Sequence, residues 1–216
     1  MVDLLPPWPQ FGVFLGAVII LGVAPGPGIF YIMATSIAQG TRSGFIAALG
    51  IAAGTFVHVL LAAFGLTLVI ASSLVVFQFV KYAGAAYLIV LGVYLLIRRR
   101  IRREAHPGQS PREARRVFIQ AVMVNVLNPK VGIFFLAFSP VCRSSTGRSR
   151  HAVLTLGLIL IGLVLVTDTL FALAAGAVTQ YLKGQARSYR WPQAVGGLTY
   201  IALGILSATI DPSTRR

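Results

Sequence analysis

Charged residues interrupt this chain so rarely that its apolar runs outlast any single element. Leu4–Thr41 and Ser43–Val80 contain no Asp, Glu, Lys or Arg. Each is longer than the ~20 apolar residues that cross a bilayer as a helix. Barrel strands would alternate in character, and these runs do not. The pattern predicts an all-α integral membrane protein with six transmembrane helices, at roughly 10–37, 44–68, 73–97, 117–139, 152–180 and 193–210. Between the second and third spans the only punctuation is Ser72-Ser73. Between the third and fourth it is unmistakable: Arg98-Arg99-Arg100-Ile101-Arg102-Arg103, then His106-Pro107-Gly108, then Arg112, Arg115 and Arg116.

Two of the spans are broken in the same way. The first contains Pro25-Gly26-Pro27-Gly28-Ile29-Phe30-Tyr31 and the fourth Pro129-Lys130-Val131-Gly132-Ile133-Phe134-Phe135. Both read Pro-x-x-Gly-Ile-Phe-aromatic. Proline removes a backbone donor and clashes with the preceding turn, so helices one and four are predicted to be interrupted. Three spans stand on either side of the Arg-rich loop, and an odd number reverses the orientation of the second half. The expected architecture is a single polytopic domain over 1–216. It is an inverted repeat of two three-helix halves, about 10–97 and 117–210, joined by a cytoplasmic loop at 98–116. Matching breaks in the two halves of such a repeat mark the binding site of a transporter.

Composition sharpens this picture. The chain is 56% hydrophobic and 11% charged, with a mean hydropathy of +0.82, where soluble domains carry about a quarter charged residues. The net charge of +14 does not indicate nucleic acid. The arginines lie in short segments between spans, without the interleaved aromatics of a base-stacking platform. With the central loop in the cytoplasm beside anionic lipid, twelve Lys and Arg fall on that side and six on the other. Both termini are then external. The single cysteine, Cys142, leaves no intrachain disulfide or CxxC pair. Met1-Val2-Asp3 lacks the positive start of a signal peptide, and the first span is expected to be retained.

Few polar side chains lie within the spans. At the second break Asn128 suits an N-cap and Pro129 the first helical position; Gly26 and Pro27 stand in the same relation. Half-helix starts present free N–H groups and a partial positive charge, and two approaching mid-membrane from opposite sides would hold a carboxylate. Simple packing kinks would leave the repetition unexplained. Asp168 is the only acid well inside a span, and an intramembrane carboxylate is costly enough to be a functional candidate. It would carry a proton, pair with a substrate amine, or pair structurally with Lys130. Lys130 itself sits at a helix start, against the dipole, and needs Asp168, an anionic substrate group or water to compensate. Snorkelling to an interface is the bland alternative. Asn125, in the last turn before the break, is placed to bond freed carbonyls. His58 lies in span two, the counterpart of Asp168's span five; it faces the cavity or is a packed, hydrogen-bonded histidine. Gly44, Gly50, Gly54, Gly196, Gly197 and Gly204 are read as helix contacts. The Pro25–Gly28 segment lacks the form of a phosphate loop.

Together, Pro25-Gly26-Pro27, Ala83-Gly84-Ala85-Ala86-Tyr87-Leu88 and Asn125-x-x-Asn128-Pro129-Lys130, in this order and spacing, resemble the LysE/RhtB family of amino-acid exporters. The likeness runs from about 11 to 210. Asp168 stands where the family carries an acid in span five, and His58 fits a recurring position. The resemblance implies export of amino acids or related small zwitterions across the bacterial cytoplasmic membrane, coupled to protons. One departure is Ser139-Pro140-Val141-Cys142-Arg143, which replaces a Pro-Gln-Phe-like sequence and opens an atypical loop over 139–151.

The expected partners are therefore a small amino-acid-like substrate, protons and membrane lipid, without nucleic acid, metal or cofactor. Oligomeric state is left open, a homo-oligomer included. The expected site comprises Pro25, Gly26, Pro27, Gly28, His58, Asn125, Asn128, Pro129, Lys130 and Asp168. Two rival classes are a membrane-embedded enzyme using His58 and Asp168, and a non-transporting membrane subunit. The first lacks a GxSxG elbow, an HExxH helix or a Cys/His cluster; the second does not explain paired breaks. The topology makes a direct prediction. A membrane-impermeant thiol reagent should label Cys142 in intact cells, whereas labelling only after the cytoplasmic face is opened reverses the orientation.

Overall fold

Proline and glycine set the boundaries of the first helices. In the computed structural model, which describes residues 6–65, 73–98, 110–128, 130–135, 150–183, 197–198, 201–202, 204–205 and 208–209, α1 spans Trp8–Val23 with proline in its first turn. Helix α2 spans Pro27–Gln39, with Gly26 as N-cap and Pro27 at its first position. Their axes bend by 44° at the break. Gly40 then ends α2 and starts α3, Thr41–Ala63, at φ 91°. This left-handed conformation favours glycine and lets the chain reverse with one residue.

Helix α4 covers Leu74–Arg98 and α5 Pro111–Val126. A short helix, α6, covers 130–135, and the long α7 covers Arg150–Lys183. No strand occurs among the described residues. Residues 197–198, 201–202, 204–205 and 208–209 are helical. A Cβ at Gly204 would lie 2.8 Å from the carbonyl of Ala85 on α4, so this segment approaches α4 closely.

The start of α5 differs from the expected span, which began at 117 inside what reads as a loop. Ser110 and Glu113 form a reciprocal capping box, each side chain bonding the other's backbone N–H at 3.3 Å. Pro111 occupies the first turn. These signals begin a helix before its sequence becomes apolar, because caps act on local backbone donors irrespective of hydropathy. Arg112, Arg115 and Arg116 ride on its exposed side, and Arg116 hydrogen-bonds the hydroxyl of Tyr94 on α4.

Helix α3 has 23 residues at mean hydropathy 2.2, and residues 151–178 of α7 are 28 at 2.4. Both are long and apolar enough to cross a membrane, and α1 with α2 qualifies as one bent span. Ile20, Val90, Leu158 and Leu170 are exposed. Such apolar surface is unfavourable in water but is what lipid requires.

The centre of the packing is α3, which contacts α2, α5 and α7. The core divides into two clusters. One gathers Tyr31, Ile32, Ala47, Ile51, Ala121 and Val124. The other gathers Phe14, Val18, Val59, Val131, Phe135 and Leu160. The helix breaks lie between them. Where α3 meets α5, the glycine reading holds: a Cβ on Gly50 would lie 2.6 Å from the Phe118 carbonyl, and one on Gly54 would lie 2.7 Å from Asn125 Cβ. In lipid, such close backbone approach supplies the attraction that apolar side chains cannot. Gly50→Val is therefore expected to destabilise the protein by about 1–3 kcal/mol through overpacking. Gly12→Val, at a position with nothing within 4 Å, should leave the thermal midpoint of purified protein unchanged.

Candidate functional site

The two helix restarts share one backbone pattern. At α2 the first helical bond runs from the Phe30 N–H to the carbonyl of Gly26, 3.1 Å; at α6 it runs from the Gly132 N–H to the carbonyl of Asn128, 3.2 Å. Gly26 and Asn128 are thus equivalent caps, and Gly28 is the counterpart of Lys130. The shared Pro-x-x-Gly motif is out of this register by two residues. Asn128 caps as its residue type implies, its Oδ1 accepting from the Lys130 N–H at 3.0 Å. Gly26 has no side chain, and no side-chain cap serves the start of α2.

A break also frees carbonyls at the end of the preceding half-helix. In a membrane these need partners from the protein. The carbonyls of Leu21 and Ala24, at the end of α1, accept hydrogen bonds from Lys130 Nζ at 2.8 and 2.6 Å. The cation that opposes the dipole at the start of α6 thus meets the favourable, negative end of α1. Its stem passes Gly26 so closely that a Cβ there would lie 3.3 Å from Lys130 Cδ. At the second break, His58 Nε2 bonds the carbonyl of Asn125 at 3.1 Å. A carbonyl only accepts, so Nε2 carries the proton.

Asn125 does not turn back to its own helix end. Its Nδ2 donates to the Ile51 carbonyl and to Thr55 Oγ1 on α3, both at 2.8 Å. The carbonyl of Asn125, which already accepts from the Asn128 N–H at 3.0 Å, takes a further bond from His58, whose ring also stacks on Phe135. His58 therefore braces the break from behind and is not among the residues lining the cavity.

That cavity lies between the breaks. Its walls include Gly26, Gly28, Asn125, Asn128, Lys130 and Asp168, with Thr55 and the apolar Ile29, Ile51, Leu160 and Val164. Its volume is about 40 Å³, room for roughly three waters. Asp168, on α7, is only 2% exposed. It lines the same cavity as Lys130 and makes no hydrogen bond among the described residues. Pro27 is buried behind the start of α2 and Pro25 is exposed; neither lines the cavity. Pro129 lies outside the described residues, as does Cys142. No group of three metal-ligating side chains occurs among the described residues.

Sequence reasoning missed Thr55 and the carbonyls of Leu21 and Ala24. Thr55 had a signal in its place one helical turn beyond Ile51 and next to Gly54, on the face that meets Asn125. The carbonyls had none beyond their position at a helix end.

The family model described as LysE type translocator matches residues 19–209. A leucine efflux protein of Klebsiella pneumoniae is 28% identical, over 94% of this chain and 98% of its own. A homoserine/homoserine lactone efflux protein of Salmonella typhi is 30% identical, over 88% and 91%. An uncharacterized membrane protein of Pseudomonas aeruginosa is 33% identical over 60% and 62%. No solved structure matches the chain.

The bonding around Asn125 predicts a stability effect that is separate from the cavity. Asn125→Ala removes the donor to the Thr55 hydroxyl and one donor to the Ile51 carbonyl, which keeps its bond from Thr55 Oγ1. It should cost about 1–3 kcal/mol, read as a lower thermal midpoint in detergent, and Thr55→Val in the same background should add little.

Proposed function

The chain belongs to the LysE type translocator family, and on that premise we propose that it exports small amino acids with uncharged side chains by proton antiport. The membrane would be the bacterial cytoplasmic membrane, with both termini external. One observation carries the reading: a carboxylate at 2% exposure, Asp168, shares a cavity with a helix start that has no side-chain cap. An acid and an uncapped N-terminus are the two halves of a zwitterion site.

In this reading the substrate carboxylate meets the N–H groups at the start of α2, near Gly28 and Ile29. Its ammonium faces Asp168. The apolar walls from Ile29, Ile51, Leu160 and Val164 would surround an uncharged side chain, in keeping with relatives named for leucine and homoserine efflux. Asp168 takes up the coupling proton once substrate has left, so the acid is never carried through the membrane as a bare charge.

Six spans in two inverted halves would supply the frame. The packing supports it: α3, in the second span, lies against α5 of the fourth, while α7, in the fifth, lies against α1 and α2 of the first. The matched helix starts at Gly26 and Asn128 support it as well. Alternating access then rocks one half against the other around the cavity.

Efflux from proteoliposomes loaded with leucine or homoserine, with and without an imposed pH gradient, tests the reading. The gradient should accelerate efflux through the intact protein. Asp168→Asn should lose that acceleration while reaching the membrane at normal levels. Undiminished gradient-driven export by the variant removes Asp168 from coupling, and no protein-dependent flux of any amino acid removes export itself.

A further inference from the structure

An ammonium group has three protons to place and no lone pair. Lys130 places two of them on the carbonyls of Leu21 and Ala24, at 2.8 and 2.6 Å. Asp168 lines the same cavity as Lys130. Two carbonyls at a helix C-terminus, opening on a cavity that an acid also lines, form a shell suited to any primary ammonium. Nothing in it is particular to a lysine. Lys130 enters from the opposite half of the chain, on a flexible four-carbon stem, across a glycine whose missing Cβ leaves it room.

We infer that this shell is the amine subsite of the carrier, and that Lys130 is a tethered stand-in which fills it between loads and gives way to the α-ammonium of an amino acid. The identity of the guest rests on the export reading. The existence of an ammonium site does not.

The arrangement answers a problem set by the break. The carbonyls of Leu21 and Ala24 are costly to leave bare inside a membrane. With substrate present, its ammonium covers them; without it, Lys130 does. The unloaded carrier therefore returns with its broken helix capped, and removal of Lys130 should slow that return far more than it slows exchange of substrate for substrate.

The first test needs no amino acid. Purified Lys130→Ala protein is heated in methylammonium chloride or in sodium chloride of equal ionic strength. Methylammonium should raise the midpoint of the variant by several degrees, by filling the emptied shell, and leave the wild type unchanged. Equal shifts in both proteins, or none in the variant, would overturn the site. A second measurement uses the wild type alone, so it does not depend on how the variant folds. Leucine should increase modification of Lys130 by a small amine-directed reagent, read by mass spectrometry. Protection of Lys130 by leucine would instead mean that the lysine stays in place when substrate binds. In proteoliposomes, Lys130→Ala should lower net leucine efflux about tenfold more than leucine exchange, as expected for a lost charge-assisted hydrogen bond. Equal losses would overturn the stand-in role. A wild type that moves neither leucine nor homoserine counts against the export reading, while the methylammonium comparison still decides the site.

Discussion

A helix broken inside a bilayer must find protein partners for every backbone group it frees, because lipid offers none. Most of what is particular to this structure follows from that constraint. Two helices restart at Gly26 and Asn128 with the same first bond, and each break leaves carbonyls behind it. The partners come from across the chain. Lys130, in the second half, serves the end of α1, and His58, in the first half, serves the end of α5.

The cavity is a by-product of the same geometry. Straight helices would close the space between the halves, and α3 and α5 do close it where Gly50 and Gly54 let them touch. Beyond that contact the chain turns aside at each break. The space then contains Asp168, the ammonium of Lys130 and the uncapped start of α2. Charge and backbone polarity are thus concentrated in one cavity between the breaks.

Much of this was legible in the sequence, and the illegible parts have a common cause. The breaks, the capping role of Asn128 and the singling out of Lys130 and Asp168, which meet at one cavity, follow from residue types whose preferences are strong and local. Matching the two motifs by their shared glycine was off by two residues, whereas pairing Gly26 with Asn128 as caps gave the register of the first helical bonds, because helix register is set by which carbonyl first accepts a bond. The partner of the Lys130 ammonium was missed for a related reason. It is backbone, at Leu21 and Ala24, and any residue type supplies a carbonyl. The early start of α5 was different: Ser110 and Glu113 spelled a capping box in plain view, and hydropathy obscured it because Arg112, Arg115 and Arg116 made the segment look like a loop.

The crossed capping of the breaks also bears on how the protein is made. A chain enters the membrane from its N-terminus, so α1 and its free carbonyls are present long before Lys130 has been synthesised. Until then the first half contains a helix end that it cannot complete from its own residues at that position. His58, in turn, is in place before the carbonyl of Asn125 exists. Assembly therefore has a direction: the early half waits for a cation from the late one, while the late half meets a donor already prepared. The final fold of the first break is an event of the whole chain, finished only when the second half has docked.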